Sequence, residues 1–210
     1  MATPSDPASP VILLLAAGEG RRFGAVKQLA AIAGEPMVRR VARTLLATHL
    51  PVIAVTGAYA EQVEAALREL PLRIVRCEDW MSGMGNSLAA GAREVARTFP
   101  RASSVLICLA DQPMLGKASI MSMLQRHRAA PDRILVTQHD GTQGPPVLFP
   151  HDCLASLTTL CGARGARSLL EREFSRVEVL ALDDGMDVDT PEDLRQVQAL
   201  LVNTSAQDHR

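Results

Sequence analysis

A chain of 210 residues with 47% hydrophobic content is long enough to bury roughly 70% of its unfolded surface in one core, so neither a disulfide nor a structural metal is needed. A net charge of −1 speaks against a nucleic-acid partner, which needs a basic face. The four cysteines, Cys77, Cys108, Cys153 and Cys161, form neither a C-x-x-C pair nor a Cys/His cluster, so a zinc site or disulfide framework is not expected.

Residues 1–10 are rich in Pro, Ser and Ala and are expected to be flexible. They lack the basic start and apolar run of a signal peptide. Val11 to Ala17 is too short to span a bilayer, so no membrane is expected and the cytoplasm is the default compartment.

Val11 to Leu15 is a continuous apolar run, which suits a strand covered on both faces of a parallel sheet. Such strands present ligand sites at their C-terminal ends. Leu15, Ala16, Ala17, Gly18 and Gly20 follow, and the near absence of side chains beyond Leu15 lets an anion approach the peptide N–H groups. Arg21, Arg22 and Lys27 add cationic donors, and together these residues read as a site for a polyphosphate. Two known phosphate loops fail on spacing. Lys27 is followed by Gln28 rather than Ser or Thr, and Gly18, Gly20 and Gly24 leave one residue too many for G-x-G-x-x-G. A redox dinucleotide enzyme is disfavoured, because Thr56-Gly57-Ala58 stands where an acidic ribose ligand is needed.

A helix is predicted over Pro36 to Thr48, a strand over Pro51 to Thr56, a helix over Ala60 to Leu70 and a strand over Leu72 to Val75. Parallel strands joined by crossover helices make the fold class α/β, a three-layer α/β/α sandwich. Trp80 to Ser87 is a Gly-rich loop opening a helix near Asn86 or Ser87 that runs to Pro100. Two readings stand: an anion site at a helix N-terminus, or a capped helix with Trp80 and Met84 as packing residues.

The strand Ser104 to Leu109 ends in Asp111, which a parallel sheet places at the same edge as the glycine loop; capping the next helix is its other reading. A carboxylate beside a polyphosphate is repulsive unless a cation intervenes, which implies Mg²⁺ held by oxygen ligands. After a helix over Ala118 to Ala129 and a strand over Arg133 to Thr137, Gln138 to Pro146 reads as a polar loop. Its Gly144 and Pro145 are candidates for the edge of an acceptor pocket, and a short strand over Val147 to Phe149 follows. His139 and His151 lack any nucleophile motif and read as surface or capping residues. Cys161 to Glu173 resembles a second anion-binding turn, or exposed arginines at a helix start. A strand over Val177 to Leu182 leads to Asp187 and Asp189, which extended backbone points the same way. Thr190-Pro191-Glu192-Asp193 signals the N-cap of a helix running to Leu201, and residues 203–210 read as a disordered tail.

The stretch L-A-A-G-x-G-x-R-F-G-x-x-K over Leu15 to Lys27 resembles the signature loop of the nucleotidyltransferases related to the molybdenum cofactor guanylyl- and cytidylyltransferases. W-x-x-G-M-x-x-S-L-x-x-G at Trp80 to Gly91, A-D-Q-P at Ala110 to Pro113, G-A-R-x-L-L at Gly165 to Leu170 and D-V-D-T-P-E-D-L at Asp187 to Leu194 resemble the cytidylyltransferase branch in the same order. The resemblance implies one nucleotidyltransferase domain over residues 11–202 with a Rossmann-like, mostly parallel sheet. It also implies transfer of CMP from CTP to the terminal phosphate of molybdenum-bearing molybdopterin, with release of pyrophosphate. On this reading Arg22, Lys27 and Asp111 are catalytic, and Thr56, Gly57 and Asp79 join the glycine loop around the nucleotide. Ser82, Gly83, Met84 and Ser87 lie near the acceptor. Asp111 and Asp189, with Asp187 behind them, hold Mg²⁺. Ala17 stands where the guanylyl branch typically has glycine, which points to CTP, and an apo-enzyme of the xanthine dehydrogenase type is an implied partner. GTP or a sugar-phosphate acceptor, and a non-catalytic nucleotide- or cofactor-binding chaperone, are the alternatives.

Overall fold

The structure is a computed structural model that describes residues 9–139 and 141–207, with side chains to residue 202. The expected flexibility of residues 1–8 and the end of the predicted tail, 208–210, lie outside the described residues. In chain order the elements are β1 (Val11–Ala16), β2 (Ala31–Ile32), β3 (Glu35–Pro36), α1 (Met37–Leu46), β4 (Val52–Thr56), α2 (Ala60–Leu67), β5 (Arg73–Arg76) and α3 (Met84–Thr98). There follow β6 (Ser104–Leu109), α4 (Lys117–Ala129), β7 (Ile134–His139), β8 (Thr142–Pro150), α5 (Leu154–Leu157), α6 (Arg167–Arg172), β9 (Val177–Ala181) and α7 (Pro191–Gln207).

Seven strands form one sheet in the order β5-β4-β1-β6-β8-β7-β9, and only β8 runs antiparallel to its neighbours. The apolar run of β1 divides by alternation. Ile12, Leu14 and Ala16 enter one core with Val41 and Leu45 of α1, Val63 and Leu67 of α2 and Ile120 of α4. Val11, Leu13 and Leu15 enter a second core with Leu88 and Val95 of α3, Leu157 of α5 and Leu169 of α6. A strand buried on both faces therefore produces the three layers. Gly91 sits where α3 presses on the sheet: a Cβ there would stand 2.8 Å from Val55 Cγ2.

The topology also places the site. The chain moves from β1 outward through β4 to β5, then returns to lay β6 on the other side of β1, so the order reverses between β1 and β6. In an open α/β sheet the crevice beyond the strand ends at such a reversal is where ligands bind. Here it is flanked by the glycine loop after β1 and Asp111 after β6, and the Ala110 N–H donates to Leu15 O at 3.0 Å across it.

Four local expectations change. The segment Gln138 to Pro146 is a hairpin of β7 and β8 rather than a loop. Pro145 and Pro146 are tolerated because the register shifts between Val136 and Thr137, leaving both prolines outside the paired ladder. Helix α3 starts at Met84, so neither Asn86 nor Ser87 is its cap; the Asn86 carboxamide instead accepts from the Gly162 N–H at 3.0 Å. Pro36 pairs with Ala31 ahead of α1 rather than lying in its first turn. Helix α7 continues past Leu201 to Gln207, into the predicted tail. His139 and His151 do serve the main chain, each turning Nδ1 to a carbonyl, Leu182 O at 3.0 Å and Ala102 O at 2.7 Å.

His127 of α4 is 4% exposed, its Nδ1 has no partner, and burial lowers its pKa below the ordinary histidine range. A group that resists protonation only when folded takes up its proton on unfolding, so its contribution is present above about pH 6.5 and is lost as pH falls. Thermal melts across pH should therefore show a decline below about pH 6.5 that is shallower in His127→Met; parallel profiles would refute this.

Candidate active site

The crevice is a cleft of about 460 Å³. One wall is the glycine loop. Gly20 and Gly24 adopt φ of +66° and +75°, values that L side chains rarely take, and so turn the chain back on itself. Gly20 also makes room for the lysine: a Cβ there would lie 3.0 Å from Lys27 Cβ, and its absence lets the lysine stem pass beneath the loop.

Lys27 is only 7% exposed, and its ammonium donates to Asp111 Oδ2 at 2.7 Å and Asp189 Oδ1 at 2.9 Å. Burial opposes the charge, yet the charges and hydrogen bonds of Asp111 and Asp189 outweigh it and raise the lysine pKa. Arg22, on the exposed turn Arg21–Phe23, donates to the other Asp189 oxygen at 2.6 Å. Asp189 reaches this point because the Val188 N–H donates to Asp111 O at 2.8 Å, and Val188 is buried with Ile32, Met37 and Val197. Behind it, Asp193 Oδ2 accepts from the N–H groups of Asp189 and Thr190, while Thr190 Oγ1 accepts from the Asp193 N–H. This is a reciprocal cap that anchors α7, as Thr190-Pro191-Glu192-Asp193 predicted. Asp187 is exposed as a residue, but enclosure of its carboxyl, and then the Asp111 charge, push its pKa up to about 6.

Among the described residues, no three His, Cys, Asp or Glu side chains converge as a ready metal cage, and Lys27 bridges Asp111 and Asp189. The donor set nevertheless fits a hard divalent cation. All three carboxylates offer oxygen, and Asp111 Oδ1 is buried without a hydrogen-bond partner. Mg²⁺ needs only one or two carboxylates when substrate phosphates supply the rest.

Leu15, Ala16, Ala17, Gly18, Gly20, Lys27 and Asp111 line the cleft, and Gly83, Met84 and Ser87 line it from the α3 side. Other predicted residues lie elsewhere. The Thr56 hydroxyl donates to Glu64 at 2.8 Å, its carbonyl accepts from the Cys77 N–H, and the Ala58 N–H donates to Ala17 O, so these groups are not free to read a base. Gly57 is a packing glycine: a Cβ there would stand 2.7 Å from Trp80 Cβ. Asp79 and Ser82 are exposed at either side of the turn carrying Trp80 and are not in the wall. The carbonyls of Gly144 and Pro145 accept from Thr137 Oγ1 and Gln112 Nε2, which braces β8 and Gln112 outside the cleft. The N-terminus of α3 is not an open anion site, because the loop 161–165 covers it and Gly162 O accepts the Gly85 N–H at 2.9 Å.

Gln28 is the residue that sequence reasoning missed. It is 3% exposed, lines the cleft, and donates to the carbonyls of Ala16 and Gly18, holding the glycine loop from behind. A glutamine beside a loop lysine carries no local sign of burial.

Among known proteins, the family described as the MobA-like NTP transferase domain matches residues 12–177. The chain belongs to this MobA-like family. Nicotine blue oxidoreductase of Paenarthrobacter nicotinovorans is 35% identical over 195 residues, covering 87% of this chain and 93% of that protein. The crystal structure of Rv0371c from Mycobacterium tuberculosis H37Rv superposes with a TM-score of 0.80 at 26% identity, covering 92% of this chain and 99% of that one. A manganese complex of Rv0371c shares the fold at a TM-score of 0.76 and 24% identity, with 92% of this chain and all of that one covered. The MobA-like chain is thus a nucleotidyltransferase, and its glycine loop, Lys27 and Asp111 stand at the strand ends where its sheet order reverses. Among the described residues of this MobA-like domain, no helix is long and apolar enough to cross a membrane.

Proposed function

We propose that the enzyme transfers CMP from CTP to the terminal phosphate of molybdenum-bearing molybdopterin, in a Mg²⁺-dependent reaction that releases pyrophosphate. The observation that carries the phosphate chemistry is the buried Lys27 ammonium between Asp111 and Asp189 at the mouth of the glycine loop. The acceptor's terminal phosphate is already ionised and attacks the α-phosphorus directly, so no general base is required. The bond to the bridging oxygen breaks and pyrophosphate carries away the electron pair. Catalysis then consists of positioning and charge neutralisation. Lys27 and Arg22 hold the β- and γ-phosphates and stabilise the leaving pyrophosphate. Peptide N–H groups of the glycine loop face the phosphates. Asp111 and Asp189, with Asp187 beside them, would hold the divalent ion, which when bound neutralises charge on the α-phosphate. The exposed Met84, with Trp80 and Gly83, offers an apolar wall for the acceptor's ring system. An apo-enzyme of the xanthine dehydrogenase type is the recipient this reading implies. Incubating the protein with Mg²⁺, molybdopterin and each of the four nucleoside triphosphates in turn, and following pyrophosphate, tests it. CTP should be the best donor.

We assign base preference to Ala17, a 5% exposed wall residue whose methyl would narrow a slot for the base against a purine. One methyl is worth about 10–200-fold in discrimination, so it acts with other cleft groups rather than alone. Ala17→Gly should raise kcat/KM for GTP relative to CTP without abolishing CTP use. An unmoved ratio would show that the base does not sit against this methyl.

A second reading comes from the Paenarthrobacter relative, which bears the name of an oxidoreductase at 35% identity. If no triphosphate yields pyrophosphate with any phosphorylated acceptor, an oxidoreductase assay of the protein tests that reading.

A further inference from the structure

Both oxygens of Asp189 are occupied by cations, one by Lys27 and one by Arg22, and Asp111 gives Oδ2 to Lys27 while its Oδ1 stays buried. The lysine contacts, 2.7 and 2.9 Å, are the lengths of charge-assisted hydrogen bonds. The Lys27 side chain is 9% exposed with its stem under Gly20, so its ammonium is held at this point rather than sampling solvent. Mg²⁺ bound by the same oxygens would stand about 2.0–2.1 Å from them. An ammonium and a metal cannot both fill that space, and their like charges would repel in a partly buried cleft.

We propose that Lys27 and a divalent cation compete for the place between Asp111 and Asp189, so that the triphosphate which draws Lys27 away is what admits the metal. This deepens the nucleotidyltransferase reading and rests on it for the identity of the displacing anion. Lys27 thus occupies the position between the two aspartates that the ion would take. When phosphate oxygens enter beside the glycine loop, Lys27 turns from carboxylate to phosphate, and Asp111 Oδ2 and Asp189 Oδ1 are released together. Nucleotide and metal therefore bind with positive coupling, and by linkage each tightens the other. Lys27 has two opposed effects: it strengthens triphosphate binding and weakens binding of the metal alone.

The test is a titration of the nucleotide-free protein with Mn²⁺, followed by the loss of the free-ion signal in electron paramagnetic resonance. Wild type, Lys27→Met and Lys27→Gln are compared, with folding checked by circular dichroism. Arg21→Met is the control, since Arg21 lines the same cleft but pairs with Glu19 and touches neither aspartate. Expected is Mn²⁺ binding about tenfold tighter or more in whichever Lys27 variant is folded, with little change in Arg21→Met. Triphosphate affinity should move the opposite way in the same Lys27 variants. Mn²⁺ binding no tighter in a folded Lys27 variant overturns the proposal, as does an equal gain in Arg21→Met, which would reduce the effect to net charge. If both Lys27 variants fail to fold, Mn²⁺ titration of the wild type at rising concentrations of inorganic tripolyphosphate, corrected for Mn²⁺ bound to the polyphosphate itself, decides instead. Positive coupling supports competition and its absence overturns it. The metal titration of the variants needs neither nucleotide nor acceptor, so it can fail while pyrophosphate release succeeds, and the reverse.

Discussion

Asp111→Asn should leave the fold intact and lower turnover by roughly 10²–10³-fold, the scale seen when one preorganised electrostatic group is removed from a reacting centre. The substitution preserves size but replaces one carboxylate oxygen with an amide donor and removes the negative charge. Asp111 lies beyond the last residue of β6 rather than inside the core, and its backbone carbonyl, which holds Val188, is unaffected. What is lost is the charged acceptor for Lys27 and, on the mechanism proposed above, an oxygen for the divalent ion where α-phosphate charge is to be neutralised. Pyrophosphate release measured beside a thermal melt separates the two effects. A matched melt with full turnover would take Asp111 out of the chemistry, and a collapsed melt would mean that the residue is mainly structural.

Gly83→Ala should cost about 3 kcal/mol of stability, combining overpacking with backbone strain. Gly83 has φ of +119°, and a Cβ there would stand 2.4 Å from Gly162 C, a main-chain atom that cannot move by a rotamer change. For a domain of this size, that free energy corresponds to a melting temperature lower by roughly 6–12 °C. The damage also reaches the site, because Gly83 and Met84 form the cleft wall opposite the glycine loop, and parting α3 from the loop 161–165 displaces that wall. Gly144→Ala supplies the contrast. Nothing lies within 4 Å of its would-be Cβ, and the change should stay within about 0.5 kcal/mol. Melts of the two variants that coincide would refute the close packing of α3 on the 161–165 loop.

Much of the fold was legible from local pattern, because an apolar strand without alternation has few ways to satisfy both faces. Ile12 and Leu13 went to opposite cores as a two-sided strand requires, and Thr190 capped α7 as its neighbours announced. Lys27, Asp111 and Asp189 could be singled out because charged residues beside a strand end or a glycine turn invite a ligand reading, and the fold brings the three together. Gly57 misled for a physical reason: a missing Cβ serves close approach by a ligand and close approach by protein equally well, and here Trp80 and Ala17 fill the space. The same ambiguity hid the covered N-terminus of α3, since the loop that caps it lies far away in sequence.

By itself, then, the sequence determined the layered α/β frame, the glycine-rich loop after the first strand and the residue types that meet at the sheet edge, since these depend on periodicity, chain flexibility and charge within a few neighbours. Only the tertiary structure decided that Lys27 turns to two aspartates from distant segments, that Gln28 is buried behind the loop, and that the peptide groups after β4 are spent on protein. Those outcomes depend on which segments the crossover connections bring together, and no local pattern carries that information.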